Sequence, residues 1–434
     1  MSANDVVIAA TEEGRRYDWP AHGFRVTASE IRRTGLGLYA ELTVEVVRGD
    51  IVGHVHWERV NLSRGDDKQR TVKALGAFCA ERGHPEVPWE RMIEVVRADV
   101  RTSQRGGAPF VRLAGVTPGP MRWLVDRVLP LGEPTLVYAA GGAGKSTAVA
   151  ALCMVIAAGR RLGPFRLVGP ARSVVVCDWE TTEAEWSRRL AAIARAVGHA
   201  SPEAVHYRPE SAPLVDVLDS LRAKVRAEAA GLVVVDSLMA ALGGPITPEF
   251  TTPFYNGLRS LGGEVSVLIV HHLGWSEGAR EHGPPHAYGD VTITNRARAA
   301  WALVREEQGV EPEDMQITMT NTKMNGSAIQ GSIGLRLLHQ DADTDDYAIT
   351  VSQFDPLTAG STNLRLADRV VAALRTGPAD EERLAEETGA SRSTLRRALE
   401  RMVEHAVVER EGGGRGRGQK AVYQLAAERM NGRM

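Results

Sequence analysis

AAGGAGKST, residues 139–147, follows the apolar run TLVY and leads into an alanine-rich segment that ends at Gly159. Its glycines at positions 141, 142 and 144 let the backbone curve so that several N–H groups point into one concavity. A helix that begins at this point adds the positive end of its dipole. The stretch therefore predicts a loop between a strand and a helix that binds the phosphates of a nucleotide.

The residue types in this loop have separate expected roles. Lys145 supplies a point charge for the β- and γ-phosphates, and Ser146 supplies a hydroxyl ligand for Mg²⁺. Ala139 stands where the usual pattern has its first glycine, but the strand and the glycine-lysine-serine core are intact. ATP and Mg²⁺ are therefore the expected cofactors. The predicted nucleotide-binding residues of the loop are Ala140, Gly141, Gly142, Ala143, Gly144, Lys145, Ser146 and Thr147.

Two further apolar runs end in acidic residues. GLVVVDS places Asp236 at the tip of a buried strand, where a carboxylate can hold Mg²⁺ through a water molecule. Glu180 follows the run VVVCD, and we predict that it orients and polarises the attacking water. Asp178, in the same run, is the alternative for that role. A third interpretation is that both acids only cap a helix that starts near Thr182.

The fold class follows from runs of β-branched residues that lack alternation. TLVY, SVVVC, LVVVD and SVLIV are apolar throughout, and helical segments separate them at residues 183–197 and 214–229. Strands buried on both faces are typical of a mainly parallel sheet with helices on both sides. The later runs QITMT, IGLRLL and YAITV follow one another without helices and predict antiparallel strands at one edge. We predict one α/β domain over residues 116–358.

Residues 1–115 predict a separate α+β domain. Alternation in FRVTAS, LYAELTVEVV and GHVHWERVNL indicates strands, and helices are expected over residues 68–79 and after residue 88. The turn-rich stretches RGGAP and GVTPGP mark its boundary. No pattern in this region indicates catalysis or a common metal site, so we assign it no role.

Residues 364–428 predict a third domain. Apolar residues recur at helical spacing from Leu366 to Leu374, DEERLAEETG forms a second helix, and Ser391 caps a third before a Gly/Arg-rich loop and a strand. This order resembles a winged helix-turn-helix. Residues 391–420 hold eight Arg or Lys against four Glu, which indicates contact with duplex DNA. The residues expected to contact it are Arg392, Arg396, Arg397, Arg415 and Arg417. The alternative is a module that docks proteins.

Composition limits the remaining possibilities. The chain has 434 residues with 52 Lys or Arg and 54 Asp or Glu, so a basic nucleic-acid surface must be local. The longest apolar run, residues 148–159, is too short to span a bilayer, and the start MSANDVVIAA lacks a secretory signal. The three cysteines show no CxxC spacing. We expect a cytoplasmic protein without membrane contact.

Taken in order, AAGGAGKS, VVVCDWE, LVVVDS, VLIVHHLG, NRAR and TKMNG resemble the RepA-like ATPases of plasmids, phages and mobile elements, which are hexameric helicases of the RecA fold. The resemblance covers residues 121–355 and includes Trp123 ahead of the phosphate loop. It implies that Glu180 activates water, and that His271 or His272 senses the γ-phosphate. By itself the histidine pair would suggest a metal site, but no Cys or carboxylate completes one at standard spacing.

In this family a neighbouring subunit supplies an arginine that stabilises charge on the γ-phosphate. GDVTITNRAR matches the family pattern at Gly289, Asn295 and Arg298 and departs from it at Asp290 and Val291. The resemblance therefore implies that Arg298 is this arginine finger. Arg296 is the second candidate.

The resemblance also implies an activity and its partners. Lys323, in TKMNG, is expected to contact the nucleotide. The loops after Asp236 and His272 leave the carboxyl ends of strands and are expected to touch DNA. The implied function is Mg²⁺-dependent ATP hydrolysis by a ring, a hexamer, coupled to translocation on single-stranded DNA or to unwinding. The alternative is a nucleotide-switched DNA-binding regulator or loader that does not unwind DNA.

Overall fold

The computed structural model describes residues 6–11, 14–34, 37–49, 51–82, 87–106, 114, 119–273, 284–289, 291–306, 313–358, 364–412 and 421–426. The chain divides into two compact units, Met1–Pro118 and Gly119–Met434. Arg415, Arg417, Asp290 and most of the predicted DNA loop after His272 lie outside the described residues.

The first unit is an antiparallel sheet packed against two helices. Its strands are β1 (Val7–Ala10), β2 (Gly14–Trp19), β3 (Phe24–Thr34), β4 (Gly37–Arg48) and β5 (Ile51–Asn61), and its helices are α1 (Gly65–Glu81) and α2 (Trp89–Gly106). The strands pair in chain order. Alternate residues along most of β4 are buried, because one face of the sheet packs on the helices. Leu42, Leu75 and Ile93 share the resulting core.

The second unit begins with a small hairpin and continues into a large sheet. The hairpin is β6 (Trp123–Val125) and β7 (Leu129–Pro130). The sheet strands are β8 (Pro134–Ala139), β9 (Val174–Asp178), β10 (Val205–Pro209), β11 (Leu232–Asp236), β12 (Ser266–His272), β13 (Ala299–Arg305), β14 (Asp314–Met324), β15 (Ile333–Gln340) and β16 (Ala348–Phe354). The helices between them are α3 (Lys145–Ala158), α4 (Glu183–Ala196), α5 (Leu214–Ala227), α6 (Leu238–Leu242), α7 (Pro248–Arg259) and α8 (Val291–Arg296).

The large sheet has the order β10-β9-β11-β12-β8-β13-β14-β15-β16. Neighbours from β10 to β13 pair in parallel, and β14, β15 and β16 are added antiparallel. This confirms the predicted mixed α/β fold with a mainly parallel sheet and an antiparallel edge. Every residue of β11 is buried, because helices cover both faces of the sheet. We call the side where β8, β9, β11 and β12 end the carboxyl end of the sheet, and the opposite side its amino end.

The last described part of the chain forms three helices and a small sheet. Its elements are α9 (Leu366–Arg375), β17 (Ala379–Asp380), α10 (Glu381–Thr388), α11 (Arg392–Glu404), β18 (Val408–Glu411) and β19 (Val422–Leu425). Asp380 and Ser391 cap α10 and α11 by accepting hydrogen bonds from backbone N–H groups. The sheet order is β17-β19-β18, so the short strand β17 joins the hairpin of β18 and β19. None of the described helices of the protein combines the length and apolarity needed to cross a membrane.

Candidate nucleotide-binding site

The predicted phosphate loop connects β8 to α3 at the carboxyl end of the sheet. Lys145 is the first residue of α3, and Gly144 is its N-cap. Gly142 and Gly144 adopt left-handed φ angles of 73° and 82°, which glycine reaches without a steric cost. A Cβ atom on Gly144 would also lie 2.6 Å from the Ile317 side chain. Both the backbone angle and the close packing therefore require glycine at position 144.

The departure from the usual pattern at Ala139 has a structural explanation. Ala139 is the last residue of β8, is fully buried, and accepts a hydrogen bond of 3.1 Å from the N–H of Leu273. A residue inside a strand keeps a negative φ angle, which alanine adopts without strain. The loop proper begins after this position, so glycine is not needed there.

Lys145 is held inside the loop. Its Nζ donates to the carbonyl oxygens of Ala139 and Ala140 at 3.3 and 3.1 Å. Burial lowers the pKa of its ammonium, while the nearby carboxylates of Asp236 and Glu180 act in the opposite direction. The ammonium therefore lies within the electrostatic reach of both acids, and its two contacts with loop carbonyls are ones that phosphate oxygens can replace.

Glu180 follows β9 and is held from two sides. The hydroxyl of Ser237 donates a hydrogen bond to its Oε1, and His272 Nε2 lies 3.2 and 3.3 Å from its two oxygens. The hydrogen bond from His272 lowers the pKa of Glu180, burial opposes this effect, and the bond from Ser237 lowers the pKa further. The carboxylate is therefore charged at neutral pH and oriented, as a group that positions water must be.

The carboxylate of Asp178, the alternative to Glu180, accepts hydrogen bonds from its neighbours on both oxygens. One oxygen accepts the N–H groups of Glu180 and Thr181 at 2.8 and 3.0 Å, and the other accepts Trp186 Nε1 at 2.7 Å and the Thr181 hydroxyl. Thr182 caps α4, so neither acid performs that role. Because both of its oxygens accept bonds within the chain, Asp178 shapes the loop that carries Glu180.

Asp236 ends β11 beside Asp178 in the strand register. It is buried, and its Oδ2 has no hydrogen-bond partner within the described part of the chain. Burial raises the pKa of Asp236 to about 7, and the negative charges of Asp178 and Glu180 add to this effect. A buried carboxylate oxygen without a partner is costly, and it marks a place where a cation or its bound water would be favourable.

This donor set fits Mg²⁺, which prefers oxygen ligands and retains several of its waters. Asp236 offers the unpartnered carboxylate oxygen, and Ser146 offers a hydroxyl on the first turn of α3. Thr147 follows on the same turn, where free N–H groups of a helix attract anions. In the described ranges, no three His, Cys, Asp or Glu side chains gather into a different metal site.

The two histidines that end β12 point to opposite faces of the sheet, because strand side chains alternate. His272 lies beside Glu180. His271 is fully buried, and its Nε2 lies 2.8 Å from the carbonyl oxygen of Tyr288. Burial lowers the pKa of His271, so it is neutral at physiological pH. Of the two residues predicted to sense the γ-phosphate, His272 is the one next to the site.

Arg298 lies at the amino end of the sheet. Its backbone N–H donates to the carbonyl of Pro134, the first residue of β8, and its guanidinium is 3.5 Å from Glu133. β8 has six residues, so roughly 17 Å separates this point from Ala139 at the start of the phosphate loop. Arg296 donates to another partner, the hydroxyl of Thr252, at 2.5 Å. Neither arginine lies at the phosphate loop of its own chain.

Lys323, which is expected to contact the nucleotide, also lies at the amino end of the sheet, away from the phosphate loop of its own chain. Its Nζ donates to the carbonyl oxygens of Thr294 and Asn295, at 2.8 and 2.7 Å. The reason is the strand direction. β14 runs antiparallel to β13, so the last residues of β14 return to the end where β13 begins. There Lys323 stabilises the carboxyl-terminal carbonyls of α8.

Two of the five arginines predicted to contact duplex DNA are engaged by acids of the preceding helix. Arg392 donates to Glu382 and Arg396 to Glu381, each at 2.9 Å. Both guanidinium groups remain exposed at the surface, and Arg397 is exposed on the same helix. The charge count over residues 391–420 therefore overestimated the positive charge of this surface, because it left out the acids of α10.

Sequence reasoning did not predict Ser237 as part of the site. Its hydroxyl contacts Glu180 although 57 positions separate the two residues. The sequence feature that could have indicated this role is the position of Ser237 directly after Asp236 in LVVVDS. A serine just before a helix has an ordinary explanation as an N-cap, so the pattern did not distinguish the two roles.

Comparisons with known proteins agree with the nucleotide site. A family model described as an AAA domain matches residues 100–278, and a model described as the HVO_A0261 N-terminal domain matches residues 360–416. The first range contains the phosphate loop, Glu180, Asp236 and His272. Together with the geometry above, this match supports a P-loop ATPase and nucleotide hydrolysis.

One solved structure similar to this chain is the flagellar accessory protein FlaH from Methanocaldococcus jannaschii. The two share 13% identity over 52% of this chain and 91% of that chain, with a TM-score of 0.36. Among curated proteins, none matches the chain in sequence.

Proposed function

We propose that the protein hydrolyses ATP with Mg²⁺, assembles into a ring, a hexamer, and translocates on single-stranded DNA as a RepA-like replicative helicase of a plasmid, phage or mobile element. The observation that supports hydrolysis best is the Glu180 carboxylate, which Ser237 and His272 hold at the carboxyl end of the sheet. A charged carboxylate in electrostatic contact with the phosphate-loop lysine is arranged for the attack of water on a γ-phosphate.

In this mechanism each side chain has its own task. Lys145 exchanges its carbonyl contacts for oxygens of the β- and γ-phosphates. Glu180 accepts a hydrogen bond from the attacking water, whose oxygen bonds to the γ-phosphorus while the bond to the β-phosphate oxygen breaks. ADP leaves, and the protons of the water remain on the inorganic phosphate. His272 orients Glu180 and stands next to the transferred group. Ser146, and Asp236 through a water molecule, would hold Mg²⁺, which would supply positive charge to the phosphate oxygens.

The position of Arg298 favours a ring. Its side chain is 47% exposed at the amino end of the sheet, far from its own phosphate loop, so a nucleotide of another copy is the one it can serve. A mixing experiment tests this proposal, because Arg298→Ala and Lys145→Ala subunits are each expected to be inactive alone. A mixed ring contains sites with an intact loop beside an intact arginine, so ATPase activity should return on mixing. If no mixture regains activity, Arg298 does not act between subunits.

DNA binding is supported by two segments that the sequence assigned to this role. The loop after α6 and the segment 284–289 touch, because a Cβ atom on Gly289 would lie 2.5 Å from the Ile246 side chain. The second segment is also tied to β12 through the bond between His271 and the Tyr288 carbonyl. The strand β12 therefore ends in two histidines, His272 beside Glu180 and His271 bonded to the segment 284–289. It can couple the proposed nucleotide site to the proposed DNA-binding loops.

The second candidate is a nucleotide-switched DNA-binding regulator or loader. It is favoured by contacts between the C-terminal helices and the large sheet, where Ser332 donates to Asp368 at 2.9 Å and Arg375 to Asp355 at 2.6 Å. We propose that α9, α10, α11 and the small sheet form a winged helix, and these contacts would link it to the ATPase.

The deciding experiment measures ATP hydrolysis by the wild type and by Lys145→Ala, with single-stranded DNA, with duplex DNA and without DNA. Strong stimulation by single strands that disappears in Lys145→Ala supports the translocase. Hydrolysis that ignores single strands, together with tight binding to one duplex sequence, supports the regulator. If Lys145→Ala hydrolyses ATP as fast as the wild type, the proposed site is wrong.

A further inference from the structure

Ser237 is placed as a helix cap but does not act as one. It is the N-cap residue of α6, yet its side chain makes no hydrogen bond to the backbone of that helix. A serine at this position usually accepts such a bond and stabilises the helix by about 1 kcal/mol. Here the hydroxyl donates instead to Oε1 of Glu180. The hydroxyl therefore bonds to Glu180, which follows a neighbouring strand, and leaves α6 without a side-chain cap.

The position of Ser237 in the sheet determines how its hydroxyl meets the Glu180 carboxylate. The residue is fully buried and directly follows Asp236 at the end of β11, a strand that pairs with both β9 and β12. Glu180 follows β9 and His272 ends β12. The carboxylate is therefore held by one donor from each of two adjacent strands, and a hydroxyl on a buried strand end can move little.

We propose that Ser237 is a positioning residue for ATP hydrolysis, whose hydroxyl holds the Glu180 carboxylate in the orientation that accepts a hydrogen bond from the attacking water. The inference rests on the proposed hydrolytic function and adds a residue to it. Ser237 acts through Glu180 and does not contact the phosphates. Its removal should therefore slow the chemical step and leave nucleotide affinity intact.

The test compares kcat and nucleotide affinity in Ser237→Ala with those in the wild type. We expect kcat to fall about tenfold, the effect of one lost hydrogen bond to a charged group. The dissociation constant for a fluorescent ATP analogue should stay within about twofold. Ser237→Thr keeps the hydroxyl and should recover most of the lost rate. Ser266→Ala is the matched control, because Ser266 is also a buried serine of the large sheet but bonds to Pro130 and Gly132 at the amino end.

A double mutant separates positioning from a structural effect. In a Glu180→Gln background, Ser237→Ala should cause no further loss of kcat, because the group that Ser237 positions is already changed. Equal losses in both backgrounds, or a loss of affinity as large as the loss of kcat, would overturn the role of Ser237. A wild type that hydrolyses ATP at the same rate as Ser237→Ala overturns it too. Absence of hydrolysis in the wild type overturns the proposed function itself, and the role of Ser237 with it.

Discussion

The charged side chains at the carboxyl end of the large sheet and those on the surface of α10 and α11 differ in burial and in pairing. At the carboxyl end, Asp236 is buried with an oxygen that has no partner among the described residues, and its pKa is raised to about 7. On the helices, Arg392 and Arg396 are exposed and each is paired with a glutamate. The first arrangement is costly without a ligand, whereas the second is satisfied within the chain.

This contrast indicates how strongly each region requires a ligand. A buried, unpartnered carboxylate next to a phosphate loop lowers the stability of the fold, so its presence points to a function. Exposed ion pairs contribute little and exchange readily with other charges. The nucleotide site is therefore the better supported of the two, and DNA binding by α11 has to compete with contacts inside the chain.

The largest expected effect comes from Glu180→Gln. The substitution keeps the shape of the side chain but removes its charge, so kcat for ATP hydrolysis should fall about 10³-fold. The affinity for a fluorescent ATP analogue should remain close to that of the wild type, because the proposed mechanism has Glu180 act on water and not on the nucleotide. A variant that keeps more than about a tenth of the activity would show that a group other than Glu180 orients the water.

Asp236→Asn should stabilise the protein while abolishing hydrolysis. The pKa of Asp236 rises from 3.8 to about 7 in the folded state, so the folded state binds more protons than the unfolded state between these values. Its contribution to stability therefore falls as the pH rises from about 4 to about 7. Asparagine removes the buried charge, so the melting temperature without nucleotide should rise by a few degrees at pH 8, and the gain should shrink toward pH 4.

Asp178→Asn is the matched control for that stability experiment, since both residues are buried at neighbouring strand ends. The oxygens of Asp178 accept bonds from backbone and indole N–H groups, and an amide nitrogen cannot accept them. Asp178→Asn should therefore lower the melting temperature. If Asp236→Asn lowers it as well at pH 8, the carboxylate is not the unsatisfied group that we describe.

The smallest expected effect concerns the surface of α10 and α11. Replacing Glu381 and Glu382 by glutamine frees Arg396 and Arg392 from their ion pairs. If α11 contacts duplex DNA, the affinity should increase about threefold at low salt and less at high salt. The measurement is a fluorescence anisotropy titration with labelled duplex DNA.

The matched control replaces Glu386 and Glu387, which lie on the same helix and change the net charge equally. Glu387 bonds to Arg383, so its replacement leaves Arg392 and Arg396 in their pairs. An equal gain in both double variants would mean that only the net charge matters. The lack of a gain in either would favour the alternative that this module docks proteins.

The parts of the site that could be predicted are those that the local chain specifies. Lys145 and the glycines beside it form a contiguous motif, and the acids at positions 180 and 236 follow runs whose apolar character predicts buried parallel strands. What could not be predicted is which of the two histidines faces the site. His272 rather than His271 lies beside Glu180 because neighbouring strand residues point to opposite faces of the sheet.

Long-range pairing decides where residues outside the phosphate loop lie. The antiparallel return of β14 carries Lys323 to the amino end of the sheet, where Arg298 also lies. The charge count over residues 391–420 omits Glu381, which lies 15 positions before Arg396 in the sequence and pairs with it in the fold. In each case the decisive partner lies outside the motif from which the expectation was drawn.

For this protein the sequence alone determined the phosphate loop, the mainly parallel sheet and the acids at its strand ends. These features depend on backbone angles, glycine positions and apolar runs, which act over a few residues. Only the tertiary structure decided that Ser237 and His272 hold Glu180, that Asp236 has an oxygen without a partner in the described chain, and that Arg298 lies far from its own loop. These properties depend on which strands become neighbours and in which direction they run, and chain-distant residues meet only after the sheet has formed.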